Sequence, residues 1–228
     1  MDIVVAGGSG LVGRELVRQL AAQANLRVAA LVRRPGVLSD VPGVVEVPFS
    51  FDDAAAYRDL GTGNLRCDVL LIALGTTIRK AKSKEAFREV DYDYPTRLAK
   101  AAAANNPGLV IGVVSSIGAD KPTGFYLRTK WEMEQEMRRL GVPCVFARPS
   151  LLLGDRAEWR PGEHLSSMVL PPLFAAFSRV GLSSRISRYR PITATQVATA
   201  LINETVVRRP TGIVVIEGQR FYADKSVR

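Results

Sequence analysis

Ile3-Val4-Val5-Ala6-Gly7-Gly8-Ser9-Gly10-Leu11-Val12-Gly13-Arg14 is the stretch that decides the fold of this chain. An apolar, β-branched run leads into a glycine-rich turn, and an amphipathic run from Leu11 to Leu20 follows. The order strand, glycine turn, helix brings backbone N–H groups and a helix N-terminus against a pyrophosphate, at a place where side chains would obstruct. Two glycine spacings overlap: Gly8-x-Gly10-x-x-Gly13 and Gly7-x-x-Gly10-x-x-Gly13. A glycine pattern alone is a weak signal, and one bracketed by a strand and a helix is a strong one. The residues expected at the phosphates are Gly7, Ser9, Gly10, Leu11, Val12 and Gly13.

Beyond this turn, strand and helix patterns alternate. Short apolar runs without strict alternation predict strands at Ile3–Ala6, Val28–Val32, Val44–Val47, Val69–Leu74, Leu109–Val114, Cys144–Ala147 and Ile213–Ile216. That composition belongs to parallel strands covered on both faces. Helices are predicted at Leu11–Gln23, Asp53–Asp59, Lys84–Val90, Thr96–Ala104 and Tyr126–Leu140, the last stopped by Gly141 and Pro143. The expected fold is α/β: a doubly wound parallel sheet in the order 3-2-1-4-5-6-7. The rhythm changes after Gly154. Residues 155–212 are expected to form a small substrate-side extension or lid on a single 1–228 domain, with a helix near Thr193 capped by Thr193-x-x-Gln196.

The length of 228 residues, a hydrophobic fraction of 47% and a charged fraction of 23% place the chain among ordinary globular proteins. No stretch approaches the ~20 apolar residues of a membrane span. The run from Ile3 already reads as the first strand, so no leader is expected, and the expected location is cytoplasmic. Cys67 and Cys144 sit at the edges of apolar runs and read as buried free thiols. A net charge of +9 raises anionic partners. No aromatic or zinc-finger pattern for nucleic acid accompanies it, so none is expected. The cluster Arg79-Lys80-Ala81-Lys82-Ser83-Lys84 reads first as a solvated loop and second as a clamp for an acidic substrate or partner. His164, the single histidine, lies in the post-sheet loop, and no ligand spacing predicts a metal. A hydrolase elbow of the form G-x-S-x-G is absent. The oligomeric state is left open.

Tyr126-Leu127-Arg128-Thr129-Lys130 is the second strong signal. A spacing of four puts tyrosine and lysine on one helix face. An ammonium beside a phenol favours the phenolate, which suits the pair to proton transfer. Upstream, Ser115-Ser116 closes the fifth predicted strand and puts a hydroxyl at the carboxyl end of the sheet.

Glycine turn, strand-end serine and YxxxK in this order resemble the short-chain dehydrogenase/reductase superfamily, whose fold is Rossmann-like. The resemblance covers essentially the whole chain. It is closest to the atypical branch related to the Tat-interacting-protein oxidoreductase. The stretches carrying it are Leu74-Gly75-Thr76-Thr77, Ser83–Phe87, Val90-Asp91-Tyr92-Asp93-Tyr94, Ser115–Asp120, Tyr126–Lys130 and Arg148-Pro149-Ser150-Leu151-Leu152-Leu153-Gly154. The resemblance implies that Ser116 (or Ser115) orients a substrate carbonyl and Tyr126 donates the proton. It implies that Lys130 binds the ribose hydroxyls and supports the tyrosine. Two features depart from the pattern. The serine-to-tyrosine gap is only 10 or 11 residues, and Asp91 stands where many members have a catalytic asparagine.

Cofactor choice is read at the end of the second strand. An acid about 20 residues beyond the glycines accepts from the ribose 2′-OH of NAD. Here Leu31-Val32-Arg33-Arg34-Pro35 offers two guanidinium groups, which pair with a 2′-phosphate, so the expected cofactor is NADP(H). By resemblance, Asp52 is an adenine neighbour. Ala73, Leu74, Gly75 and Thr76 are expected to run past the central part of the dinucleotide. The favoured reading is an NADP(H)-dependent oxidoreductase acting on a small carbonyl or alcohol substrate. The alternative is a non-catalytic NADPH-binding regulatory or assembly protein. A third reading, an anion-binding interaction protein with a vestigial loop, conflicts with the intact glycine turn.

Overall fold

The computed structural model describes residues 1–63, 65–153 and 190–222. Seven parallel strands form one sheet: β1 (Asp2–Ala6), β2 (Arg27–Val32), β3 (Val44–Pro48), β4 (Val69–Ile72), β5 (Val110–Val114), β6 (Cys144–Arg148) and β9 (Ile213–Glu217), in the order β3-β2-β1-β4-β5-β6-β9. This is the doubly wound order expected from the sequence. The last strand is the ninth among the described residues because a short parallel pair, β7 (Leu152–Leu153) and β8 (Ile192–Thr193), precedes it. Central β1 pairs with β2 through Ile3↔Val28 and with β4 through Ile3↔Val69.

The alternation along each strand divides the core into two layers. Ile3, Val5, Val28, Ala30, Val69 and Leu71 face one layer. Val4, Ala6, Leu31, Leu70 and Ile72 face the other. The first layer is covered by α1 (Leu11–Ala21), through Leu16, Val17 and Leu20, and by α6 (Ala194–Ile202), through Val197 and Leu201. The second is covered by α4 (Tyr94–Asn105) and α5 (Gly124–Arg138), through Leu98, Ala102, Met133 and Met137. Near-continuous burial on both faces explains why β1, β2, β4, β5 and β6 lack a polar stripe, while the edge strands β3 and β9 are largely half-buried or exposed.

Helix α6 begins at a full capping box, with Gln196 N–H donating to the Thr193 hydroxyl at 3.2 Å and Thr193 N–H to Gln196 Oε1 at 3.0 Å. It docks on α1 through a Thr199–Gln19 side-chain hydrogen bond of 3.0 Å. A Cβ on Gly112 of β5 would lie 2.9 Å from Thr205 and 3.2 Å from Leu201, so α6 and the turn after it press directly on the sheet. Of the stretch expected to form a lid, residues 155–189 lie outside the described residues, among them His164 and the apolar run Met168–Phe174. Residues 192–206 supply core contacts, with Ile192, Val197, Leu201 and Val206 buried.

Several boundaries differ from expectation. Strand β4 ends at Ile72, so Ala73 and Leu74 belong to the loop at its carboxyl end. The predicted Asp53–Asp59 helix is a single 3₁₀ turn, Ala54–Tyr57, opened by Asp53 accepting from Ala55 N–H at 2.8 Å. The basic run is not a loop. Thr77 caps a short helix, α2 (Ile78–Ala81), Lys82 adopts φ 69°, and Ser83 caps α3 (Lys84–Arg88) by accepting from Ala86 N–H at 3.0 Å. Between α3 and α4 runs a wide π-helical turn, Glu89–Asp93. Cys67 and Cys144 are unpaired, and burial pushes each thiol up to about 12. Among the described residues, no helix is long and apolar enough to cross a membrane. Nor does any group of three or more His, Cys, Asp or Glu side chains gather there as metal ligands do.

Candidate functional site

The carboxyl ends of β1, β2, β4 and β5 converge, and the glycine turn lies at the end of β1. Gly7 holds φ 90°, and a Cβ there would lie 2.6 Å from the Ala73 carbonyl carbon and oxygen. A Cβ on Gly13 would lie 2.0 Å from the Gly7 oxygen. Gly10 N–H closes the turn on Gly7 O at 2.9 Å. Of the two overlapping spacings, Gly7-x-x-Gly10-x-x-Gly13 therefore describes the turn. Gly8 faces inward, where a Cβ would meet Leu38, Val17 and Ala30.

Gly10 itself has φ −80° and ψ 171°, a conformation open to any residue. Helix α1 begins there with no side-chain cap and no acidic residue in its first turn. Its leading N–H groups and the positive end of its dipole are thus left for an anion. Close packing explains glycine at 7 and 13, while the backbone angles at 10 do not themselves require one.

Arg33 and Arg34 follow β2 and are both exposed. The Arg33 guanidinium lies over the rings of Phe51 and Tyr94, at 5.7 and 5.9 Å. The Tyr94 hydroxyl donates to Asp52, and burial together with that carboxylate pushes the phenol's pKa up. Arg33, Phe51, Asp52 and Tyr94 thus form one wall beside the glycine turn. The loop holding Arg34 is shaped from below: Glu46 accepts from the N–H groups of Gly36 and Leu38, and Arg14 of α1 pairs with Asp40.

On the opposite side, α5 presents Tyr126, Lys130 and Glu134 at successive intervals of four. Tyr126 is partly exposed at 39%, and its ring packs on Phe87 with centroids 5.6 Å apart. Lys130 is buried. Its ammonium meets the Asp91 carboxylate at 2.7 Å and the Val114 carbonyl at 3.5 Å. Burial alone would lower the pKa of Lys130; the charges of Asp91 and Tyr126 overcome this, and the net direction is upward. Asp91, also buried, accepts from Thr76 N–H at 2.8 Å.

The two serines at the end of β5 separate cleanly. Ser115 is buried and donates to Glu134 Oε1 at 2.6 Å. Glu134 in turn takes a two-pronged bond from Arg148 of β6, Nε at 2.9 Å and Nη2 at 2.6 Å. Ser116 makes only a long contact to Ile117 O, 3.4 Å. Ser116 is therefore the hydroxyl at liberty to meet a ligand. The Ser115–Glu134–Arg148 network lies outside the sequence expectations. The one signal for it was Glu134 itself, four residues beyond Lys130 on the same helix face.

A glycine turn and uncapped helix facing a tyrosine–lysine pair across the carboxyl ends of a parallel sheet define a dinucleotide-binding protein of the short-chain dehydrogenase/reductase kind. The NAD(P)H-binding family model matches residues 7–163, and the chain belongs to that family. It is 32% identical over 161 residues to Protein FMP52, mitochondrial, of Candida albicans, covering 69% of this chain and 70% of that one. It is 33% identical over 171 residues to Protein HTATIP2 of Rattus norvegicus, covering 72% and 68%. Among solved structures, a short-chain type dehydrogenase/reductase from Mycobacterium ulcerans superposes with a TM-score of 0.71 at 16% identity, over 97% of this chain and 90% of that one. The Bordetella bronchiseptica enzyme WbmH, solved with NAD+, superposes with a TM-score of 0.66 at 17% identity, over 95% and 75%. The two structural likenesses carry the fold alone. The expectation of a cytoplasmic location is corrected here: the fungal relatives are named as mitochondrial proteins.

Proposed function

We propose that this protein is an NADP(H)-dependent oxidoreductase of the atypical short-chain type, passing hydride between the nicotinamide and a small carbonyl or alcohol substrate. The observation that carries this reading is the juxtaposition of Tyr126, Lys130 and the end of β5, where Lys130 reaches the Val114 carbonyl just before Ser115 and Ser116. The cofactor, when bound, supplies the hydride. Ser116 holds the substrate oxygen, and Tyr126 gives that oxygen a proton as it gains charge. The Lys130 ammonium keeps positive charge beside the phenol and donates to ribose hydroxyls. Asp91 and the Val114 carbonyl occupy two of its three N–H donors and leave one. The cradle residues Ser9, Gly10, Leu11 and Val12 meet the pyrophosphate, and Asp52 lies beside the adenine. Ala73, Leu74, Gly75 and Thr76 run along the centre of the dinucleotide.

Incubation with NADPH and a panel of carbonyl compounds tests the reading. Loss of absorbance at the reduced nicotinamide band with formation of the alcohol supports it. The alternative of a binding module without turnover draws on the Asp91–Lys130 pair, which partly neutralises the lysine. It becomes the better account if NADPH binds and no carbonyl is reduced.

The choice of NADP(H) rests on Arg33 and Arg34. Charged hydrogen bonds contribute ~1.5–3 kcal/mol each, so NADPH is expected to bind at least about tenfold more tightly than NADH. Replacing both arginines with alanine should erase that margin and leave NADH affinity nearly unchanged. Equal losses for both dinucleotides would reject the assignment.

Gly10→Val tests the cradle. The backbone at 10 accepts a side chain, so the variant should keep its melting temperature within a few degrees. Its valine would stand between the pyrophosphate and the helix N-terminus, and dinucleotide binding should disappear. A folded Gly10→Val protein with unchanged affinity would show that the dinucleotide binds elsewhere.

A further inference from the structure

Asp91 ties two elements of the site together with one carboxylate. Oδ1 pairs with Lys130 of α5 at 2.7 Å, and Oδ2 accepts from Thr76 N–H, in the loop after β4, at 2.8 Å. A Cβ on Gly75 would lie 3.6 Å from Oδ1, so the carboxylate also backs that loop in van der Waals contact. Only 1% of the Asp91 side chain and 5% of the Lys130 side chain are exposed, which shields the pair from solvent screening.

The position is made by the backbone. Asp91 is the middle residue of the π-helical turn Glu89–Asp93, where α3 passes into α4. Turns of this kind occur mostly as single interruptions of α-helices and gather at functional sites. The turn is held to α5 on its outer side as well, since Arg88 pairs with Glu132 and stacks on Tyr92 at 4.0 Å.

We propose that Asp91 is the positioning residue for the nicotinamide half of the dinucleotide: it aims the Lys130 ammonium and locks the Ala73–Thr76 loop to α5. The inference rests on the NADP(H) reading above. An asparagine in the same place would still accept from Thr76 N–H, but it would leave a buried ammonium without its counter-charge. Among the described residues, no hydrogen bond or ion pair joins the side chains of Arg33, Asp52 or Tyr94, at the adenosine end, to Asp91 or Lys130. The role therefore predicts a split between the two halves of the cofactor, which a general loss of stability would not produce.

The test is a fluorescence titration with NADPH, beside calorimetry with adenosine 2′,5′-bisphosphate, which lacks the nicotinamide half. Asp91→Asn should raise the NADPH Kd at least tenfold and leave the bisphosphate Kd within twofold. In a Lys130→Met background, adding Asp91→Asn should change the NADPH Kd less than twofold, because the partner it serves is gone. This pair of variants also covers poor folding of Asp91→Asn alone, since together they remove both buried charges. Equal losses for both ligands, an unchanged NADPH Kd, or the same loss with and without Lys130 would each overturn the proposal. Wild-type protein that binds neither ligand overturns the NADP(H) reading and this proposal together. Wild type that binds both, with no split in Asp91→Asn, overturns this proposal only.

Discussion

Tyr126→Phe should reduce carbonyl reduction at least ~100-fold, the lower end of what a positioned general acid contributes. The substitution deletes one hydroxyl. The ring would keep its packing on Phe87, and Lys130 would keep its bond to Asp91. NADPH affinity should therefore stay within about twofold of wild type, so that the loss falls on kcat. The comparison needs steady-state rates and a cofactor titration on the same preparation. A rate within a few-fold of wild type would remove Tyr126 from the chemistry. A large parallel loss of NADPH affinity would instead assign it to cofactor binding.

Arg148→Met should destabilise the fold by about 3–5 kcal/mol, the usual cost of breaking a buried ion pair by removing one partner. Arg148 is 7% exposed and Glu134 is fully buried; two hydrogen bonds join them, and Glu134 also accepts from the Ser115 hydroxyl. Asp120 and Glu217 lie 3.9 and 3.7 Å from the same guanidinium. Removing it takes away the two closest donors to Glu134 and leaves the buried carboxylate with Arg138 Nη2 at 3.6 Å and the Ser115 hydroxyl. Adding Glu134→Gln to Arg148→Met takes away that under-compensated charge and should recover much of the loss. Urea unfolding of the three proteins reads this directly. A loss under about 1 kcal/mol for Arg148→Met would show that the network is not a major support of the fold.

How far the sequence discloses this molecule depends on how local each feature is. The glycine turn and the Tyr126–Lys130 spacing are set by residues within one or two turns of each other, and the strand order follows from the alternation of strands with right-handed crossover helices. All three stand in the structure where the patterns put them. Helix α3 stands where the Lys84–Val90 pattern puts it; α2 was legible in its capping residue Thr77, but the basic side chains around it favour a solvated loop. Other features depend on distant partners. Glu134 and Arg148 lie on different elements, and neither announces that it is buried. Asp91 stood out as a departure from the family's asparagine. Its pairing with Lys130 arises from a π-helical turn, and no simple periodicity marks one. The choice between Ser115 and Ser116 likewise waits on Glu134, which engages the first and leaves the second. In α6 the apolar spacing shows that one face is buried, but the surface it covers, α1 and Gly112, is set by tertiary packing.

The central claim is that hydride passes from the nicotinamide to a substrate carbon held beside Tyr126. The most direct measurement is isotopic: wild-type protein, NADPH deuterated at nicotinamide C4 and a carbonyl panel, with products examined by mass spectrometry. The account predicts an alcohol one mass unit heavier, with the deuterium on the carbinol carbon, and no such product from Tyr126→Phe in the same time. Tight binding of NADPH with no deuterium transferred to any carbonyl would contradict it.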